Sequence, residues 1–282
     1  MKNFYLIANT DKEATKKVKA EIEAYLEEKN CSCRGEDGFH LQKDLIGKGE
    51  GQIPPETDCV ITLGGDGTLI QAARNLAGHN FPIIGINTGT LGYLTQMGGD
   101  GNTTALLDAL IDDRYEIQER MMLSGTVYRD GEVIAKDIAL NDIVFTRDGE
   151  LRIVKFYIYV DGKLINKYSA DGMIAATPTG STAYNLSAGG PIAEPDGRLI
   201  ILTPICPHTL TSRSIVLGPE SRIRIEIPGT QRGQKVVFDG DHSVELMGGD
   251  AVEIERSSMV TRMIRLDQRS FLDILKQKMY EA

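Results

Sequence analysis

The sequence predicts two domains of different class: an N-terminal α/β domain on a parallel sheet and a C-terminal antiparallel β-sandwich, with a last helix packing back on the first domain. Three observations predict this. Compact apolar runs alternate with helical stripes up to about residue 118, the pattern of a parallel sheet covered by helices. Beyond it, short alternating segments recur between turn signals, the texture of antiparallel β-structure. The final segment is helical again. The expected boundaries are 1–118, with 268–282 returning to that domain, and 119–267 for the sandwich.

Asn3 to Ala8 is an apolar, β-forming run and reads as the first strand. Asn9-Thr10-Asp11 is N-cap material for a helix reaching about Lys29, in which Ala14, Val18, Ile22, Tyr25 and Leu26 share one stripe at helical spacing. Residues 32–57 carry Gly47-Lys48-Gly49-Glu50-Gly51 and Pro54-Pro55 and read as a loop. Cys59 to Leu63 is a second buried strand, Gly64 to Gly67 a turn, and Thr68 to Ala77 a helix closed by Gly78. Phe81 to Ile86 is a third strand, followed by the polar loop Asn87 to Gly92 and a helix around Thr103 to Arg114. These repeated units make the first domain Rossmann-like.

In the second half the turn signals are Arg129-Asp130-Gly131, Asp161-Gly162, Pro228-Gly229 and Met247-Gly248-Gly249-Asp250. Arg152 to Val160 and Lys163 to Tyr168 flank Asp161-Gly162, the strongest short-range hairpin signal. Arg120-Met121-Met122-Leu123 reads as strand core. Ser270 to Tyr280 is the last helix, with Phe271, Leu272, Ile274, Leu275 and Met279 as its apolar face.

Apolar residues at 41% and charged residues at 25% are a globular balance rather than a disordered one. A net charge of −9 argues against nucleic acid or an anionic membrane as partner, because a polyanion would be repelled. A local pocket of amides can still take a small anion. Phe4 to Ala8 is too short for a signal peptide core, no run spans a bilayer, and a cytoplasmic enzyme is expected. Cys31, Cys33, Cys59 and Cys206 form neither a zinc nor a disulfide framework. His40, His79, His208 and His242 lack ligand spacing, so no metal held by protein side chains is expected.

The chemistry concentrates at Gly64-Gly65-Asp66-Gly67-Thr68, between a strand and a helix. Glycines let the backbone approach a ligand, and uncapped amides at a helix start suit phosphate oxygens; Gly64, Gly65, Gly67 and Thr68 are therefore the expected phosphate-binding residues. A carboxylate there would repel the same anion. Its chemical use is to take a proton from an attacking hydroxyl, although turn chemistry alone also accommodates an Asp that merely bonds the turn. The chain has no GxxxxGK[ST], which excludes a P-loop kinase. A second constellation, Ser169-Ala170-Asp171-Gly172 and Thr177 to Gly190, holds a dense run of hydroxyls with Tyr184 and Asn185. Such groups can orient a base and a ribose.

GGDGT after a strand, the NTGTLGYL loop, Asn141-Asp142, SADGMIAATPTGSTAYNLSAGGPI and PICPHTLTSRSIVL together resemble the NAD kinase family, over Phe4 to about Asp267. The resemblance implies phosphoryl transfer from ATP, or another donor, to the 2′-hydroxyl of the adenosine ribose of NAD, making NADP. It places Asp66 on the general base and Gly67 on a nucleotide contact. Asn141 and Asp142 fall on an Asn-Glu pair that holds NAD, here one methylene shorter. Arg152 falls near the dinucleotide, and Asp171 on a carboxylate at the nicotinamide end. Thr182, Ala183, Tyr184 and Ser187 fall on the adenosine segment, and Tyr93 on an aromatic beside adenine. Asp241 replaces the Gln of a family Asp-Gly-Gln segment. A divalent cation, most simply Mg²⁺, would accompany ATP, and a homodimer or homotetramer is implied. The rivals are another GGDGT kinase acting on a lipid or sugar phosphate, and a dinucleotide-sensing module without turnover.

Overall fold

In the computed structural model, β1 (Asn3–Ala8) is buried from Phe4 onward and leads into α1 (Glu13–Glu28). The described residues are 1–10, 13–37, 53–89, 92–96, 103–149, 153–208, 212–229, 231–266 and 270–280. They divide into two units, Met1–Glu119 with Thr261–Ala282, and Arg120–Val260.

The first unit continues with β2 (Ser32–Asp37), β3 (Cys59–Gly64), α2 (Asp66–Asn75), β4 (Ile83–Asn87) and α3 (Thr103–Ile111). Its sheet runs β2-β1-β3-β4, all parallel. β1, β3 and β4 read as unbroken apolar runs because helices cover the sheet. Leu6, Ile61 and Ile84 of the sheet cluster with Ile22 and Leu26 of α1 and Leu107 of α3.

Two details depart from expectation. Ser32–Asp37 is a strand parallel to β1 rather than loop; its sequence SCRGED carries no apolar run, and the pairing comes from the open edge of β1. The rest of that presumed loop lies largely outside the described residues. On α1 the buried residues are Thr15, Ile22 and Leu26, whereas Ala14 is exposed. Thr15 turns inward because its hydroxyl meets that of Thr88 at 2.9 Å.

The second unit holds β5 (Glu116–Arg129), which enters it from the first, then β6 (Glu132–Ala139), β7 (Asp142–Arg147), β8 (Val154–Val160), β9 (Lys163–Ala170) and β10 (Gly172–Ala176). A 3₁₀ turn (Thr179–Thr182) and the single turn α4 (Tyr184–Ser187) follow. β11 (Ile200–Ile205), β12 (Ile215–Leu217), β13 (Ile223–Glu226), β14 (Gln234–Phe238), β15 (His242–Leu246) and β16 (Ala251–Arg265) complete it. One sheet runs β12-β11-β10-β7-β14-β15 and is antiparallel. Opposite it, β9, β8, β13 and β16 adjoin in that order, with β5 on β16 and β6 on β5. Phe145, Phe156, Phe238 and Val252 share the core between the sheets, making a sandwich; Phe145 meets Phe156 edge-on at 4.9 Å. Asp161 and Gly162 have φ of 50° and 75°, and Asp130 and Gly131 φ of 53° and 82°. Those are the left-handed pairs that two-residue hairpins require.

The end of β16 returns to the first unit, where Met263 pairs in parallel with Ile83 of β4. The Gln96 side chain donates to the Ile264 carbonyl and accepts from Leu266 N. The last helix, α5 (Phe271–Tyr280), belongs to the same unit and sets Lys278 over the Tyr93 ring at 5.4 Å. Leu272 and Met279 are exposed, so the inward face of α5 is narrower than its apolar content suggests. Among the described residues no helix is long and apolar enough to cross a membrane.

Candidate active site

In the first unit, the C-terminal ends of β1, β3 and β4 open onto a cavity of about 200 Å³ lined by Asn9, Gly64, Gly65, Asn87 and Thr88, among others. This is where open parallel sheets place ligands. Its lining residues carry amides, a carbonyl-rich backbone and hydroxyls. Gly65 is the N-cap of α2 and offers no side-chain cap, so first-turn amides that lack intrahelical partners stay available for an anion.

Asp66, the first residue of α2, does not line that cavity. Its Oδ2 accepts from Tyr93 N at 2.8 Å. Its Oδ1 accepts from Leu94 N at 3.3 Å, Thr95 N at 3.1 Å and the Thr95 hydroxyl at 2.9 Å. A carboxylate has about four lone-pair sites, so Oδ1 is crowded while Oδ2 keeps one open. The approach is close enough that a Cβ at Gly92 would lie 1.8 Å from Asp66 Oδ1. Tyr93 is thus anchored through its amide, and burial raises the pKa of its phenol.

In the second unit, the Asp239 carboxylate accepts from Leu140 N at 2.7 Å, Asn141 N at 2.7 Å and Asp142 N at 3.0 Å. Thr177 closes the other side: its hydroxyl donates to Leu140 O at 2.6 Å and its amide to Asn141 O at 2.8 Å. The backbones touch so closely that a Cβ at Gly180 would stand 2.0 Å from Asn141 O. Around this junction, buried polar groups lack partners. Asn141 Oδ1 and Thr179 Oγ1 are buried without a hydrogen bond. Asp142 is 4% exposed, and burial, then the neighbouring Asp239 charge, pushes its carboxyl up to about 7. Polar groups are rarely left so; the junction has the character of a ligand site.

Tyr184 opens α4 with 45% exposure. Burial raises its phenol, the charges of Cys206, Asp171 and Asp142 add to the rise, and Arg147 opposes it. Arg147 Nε pairs with Asp171 Oδ1 at 3.3 Å. The hydroxyl-rich segment divides in two. Ser181 and Asn185 serve the scaffold: Ser181 Oγ donates to Pro178 O at 2.6 Å, and the Asn185 amide reaches Ser181 O at 3.0 Å and Pro191 O at 2.9 Å. Thr182 bonds its own turn at 3.4 Å, Ala183 is half-buried, and Ser187 is exposed.

Among the residues singled out from the sequence, Asn141, Asp142, Asp171 and Tyr184 all belong to the second unit, with Asp142 and Asp171 at opposite ends of the β7–β10 pairing. Asp241 is exposed on the turn between β14 and β15, and the carboxylate that accepts from the amides of residues 140–142 is Asp239. Arg152 lies outside the described residues. Arg147 escaped the sequence reading, and Asp239 and Thr179 carried no role of their own within the Asp-Gly-Gln-like and hydroxyl-rich segments. Asp239-Gly240 looks like turn composition, and nothing local announces partners 97 to 99 residues away.

Residues 4–115 match the ATP-NAD kinase N-terminal domain, and residues 140–266 match the ATP-NAD kinase C-terminal domain. The chain belongs to the NAD kinase family. The NAD kinase of Lachnospira eligens is 43% identical over 99% of this chain and 100% of its own length. That of Agathobacter rectalis is 42% identical over 99% of each. Among solved structures, an NAD kinase from Archaeoglobus fulgidus in complex with ATP superposes with a TM-score of 0.75 at 26% identity, covering 98% of both chains. Yeast NADH kinase complexed with NADH superposes at 0.85, covering 100% of this chain and 89% of its own; at 22% identity it speaks for the fold. The two NAD kinase domain matches hold the glycine-turn cavity and the Asn141–Asp142 junction respectively.

Proposed function

We propose that the chain transfers the γ-phosphoryl group of ATP to the 2′-hydroxyl of the adenosine ribose of NAD, making NADP. The observation that carries this is the polar junction where Asn141 Oδ1 and Thr179 Oγ1 are buried without a hydrogen bond beside the buried Asp142, in a chain that matches both ATP-NAD kinase domains. Asn141, Asp142, Thr182, Ala183, Tyr184 and Ser187 hold the adenosine, with Thr179 added to them. Tyr93 offers its ring to the adenine, and the Arg147–Asp171 pair serves the nicotinamide end. Gly64, Gly65, Gly67 and Thr68 cradle the donor phosphates, as amides and hydroxyls suit anions.

Asp66 is the base. Its Oδ2 keeps an open lone pair, and four donors fix its direction, so no reorientation is needed to take the proton from the attacking hydroxyl. Phosphoryl transfer forms its new bond late; general-base assistance is worth about 10²–10⁴-fold and positioning supplies much of the rest. ATP is taken as its Mg²⁺ complex, whose ion neutralises phosphate charge. Among the described residues no group of three His, Cys, Asp or Glu side chains could hold a metal. A cytoplasmic homodimer or homotetramer completes the reading.

The test is incubation with NAD, ATP and MgCl₂, with any NADP coupled to an NADP-specific dehydrogenase. NADP formation is expected; its absence overturns the proposal.

A further inference from the structure

We propose that His242 and Asp137 are a positioning pair for the Leu140–Asp142 turn, through which the imidazole governs affinity for NAD without touching it. This rests on the reading of Asn141 and Asp142 as NAD-binding residues.

Asp137 lies in β6 with its side chain 2% exposed. Its Oδ1 accepts from Ile138 N at 2.6 Å, and its Oδ2 meets His242 Nδ1 at 2.5 Å. A carboxylate buried this far needs such donors. The His242 ring stacks on Phe238, with centroids 6.0 Å apart and planes 25° from parallel. Phe238 and His242 face each other as the last register pair of the β14–β15 hairpin.

Between those two residues lies the turn Asp239-Gly240-Asp241, and Asp239 is the residue that takes the three amides of Leu140, Asn141 and Asp142. One hairpin therefore grips six consecutive residues at two points. The imidazole holds the start of the segment at Asp137, and the Asp239 carboxylate holds its end. Asp239 N closes the grip by donating to Asp142 O at 3.0 Å. Releasing the first point lets the hairpin tip shift on its strands and carries Asp239 with it. Asn141 and Asp142 then leave the place where their side chains meet the ligand, and a shift of about 1 Å at such a site is enough to weaken function.

The experiment compares KM for NAD, KM for ATP and kcat in wild type, His242→Ala and His242→Asn. An Asn amide can place an N–H close to where imidazole Nδ1 sits. Losing a hydrogen bond to a buried charge corresponds to about a tenfold change, so His242→Ala should raise KM for NAD about tenfold with KM for ATP and kcat within about twofold of wild type. His242→Asn should recover most of that loss. An unchanged KM for NAD, an equal rise for both substrates, or an Asn variant no better than Ala would each overturn the inference. If the Ala variant does not fold, His242→Gln replaces it: the Gln amide lies one methylene further out, so a raised KM in Gln against a near-normal one in Asn supports the pair, and equal values overturn it. A wild-type chain that makes no NADP brings down the functional proposal and this inference together. A wild-type chain that turns over NAD while its His242 variants bind NAD equally well brings down this inference alone.

Discussion

The Thr95 hydroxyl donates to Asp66 Oδ1 at 2.9 Å while accepting from the Asn87 side-chain amide at 3.0 Å. The carboxylate at the head of α2 is thereby tied to the end of β4, and its two oxygens are not equivalent. Oδ1 is committed to holding the 93–95 segment; Oδ2 has room for one more donor.

Asp66→Asn should therefore have two separable effects. Turnover should fall by about 10²–10⁴-fold, measured with the coupled NADP assay. An amide nitrogen must also face a backbone N–H, at a cost of about 1–3 kcal/mol visible in urea unfolding. Calorimetric NAD affinity should stay within a few-fold. Near-normal turnover removes Asp66 from the base role.

Gly92→Ala should imitate that variant without altering the acid. The added methyl would stand 1.8 Å from Asp66 Oδ1, so the carboxylate or the loop must move. The expected outcome is a loss of kcat at least as large as any loss of NAD affinity. A fully active, equally stable variant would show that the loop relaxes freely.

Asp142 makes stability depend on pH in an unusual sense for an acid. Its carboxyl, ordinarily at 3.8, is raised to about 7 in the fold, so the folded state holds the proton more tightly than the unfolded chain. The stabilising contribution is complete below about pH 4 and disappears as pH rises through about 7. At about 1.4 kcal/mol per unit, the upper limit is about 4 kcal/mol. Asp142→Asn should flatten that part of the ligand-free stability profile. Thermal unfolding from pH 4 to 8 checks it, and parallel profiles for the two proteins would rule the effect out.

Tyr184→Ala should weaken NAD binding about tenfold or more, since stacking on a base is worth about 1–3 kcal/mol. With nearly half of the side chain exposed, the melting temperature should hardly change. An unaltered NAD affinity would contradict the placement of adenosine at α4.

Much of the architecture was legible in the sequence wherever a local rule decides the outcome. β1, β3 and β4 announce themselves because both faces are covered, and Asp161-Gly162 marks its hairpin because few other pairs accept two left-handed residues. β2 was hidden: SCRGED has no apolar signature, and only the free edge of β1 makes it a strand. Ala14 looked like the buried residue of α1, yet Thr15 takes that place because a hydroxyl partner waits at Thr88. In the second unit, composition marked the hydroxyl-rich segment but could not distinguish Ser181 and Asn185, whose bonds are internal, from Thr179, whose hydroxyl has none. Asp239 and the Arg147–Asp171 pair depend on strands distant in the chain, and no window of sequence contains both partners.

The clasp of Gln96 on the backbone of Ile264 and Leu266, beside the pairing of Met263 with Ile83, also bears on biosynthesis. A ribosome translating this message makes four strands of the first unit early but withholds the fifth until nearly everything else has emerged. Such long-range closure is slow, and until it occurs the border of β4 is an open template for wrong partners. Truncation before residue 261 should therefore leave a species that is prone to self-association rather than a smaller working domain.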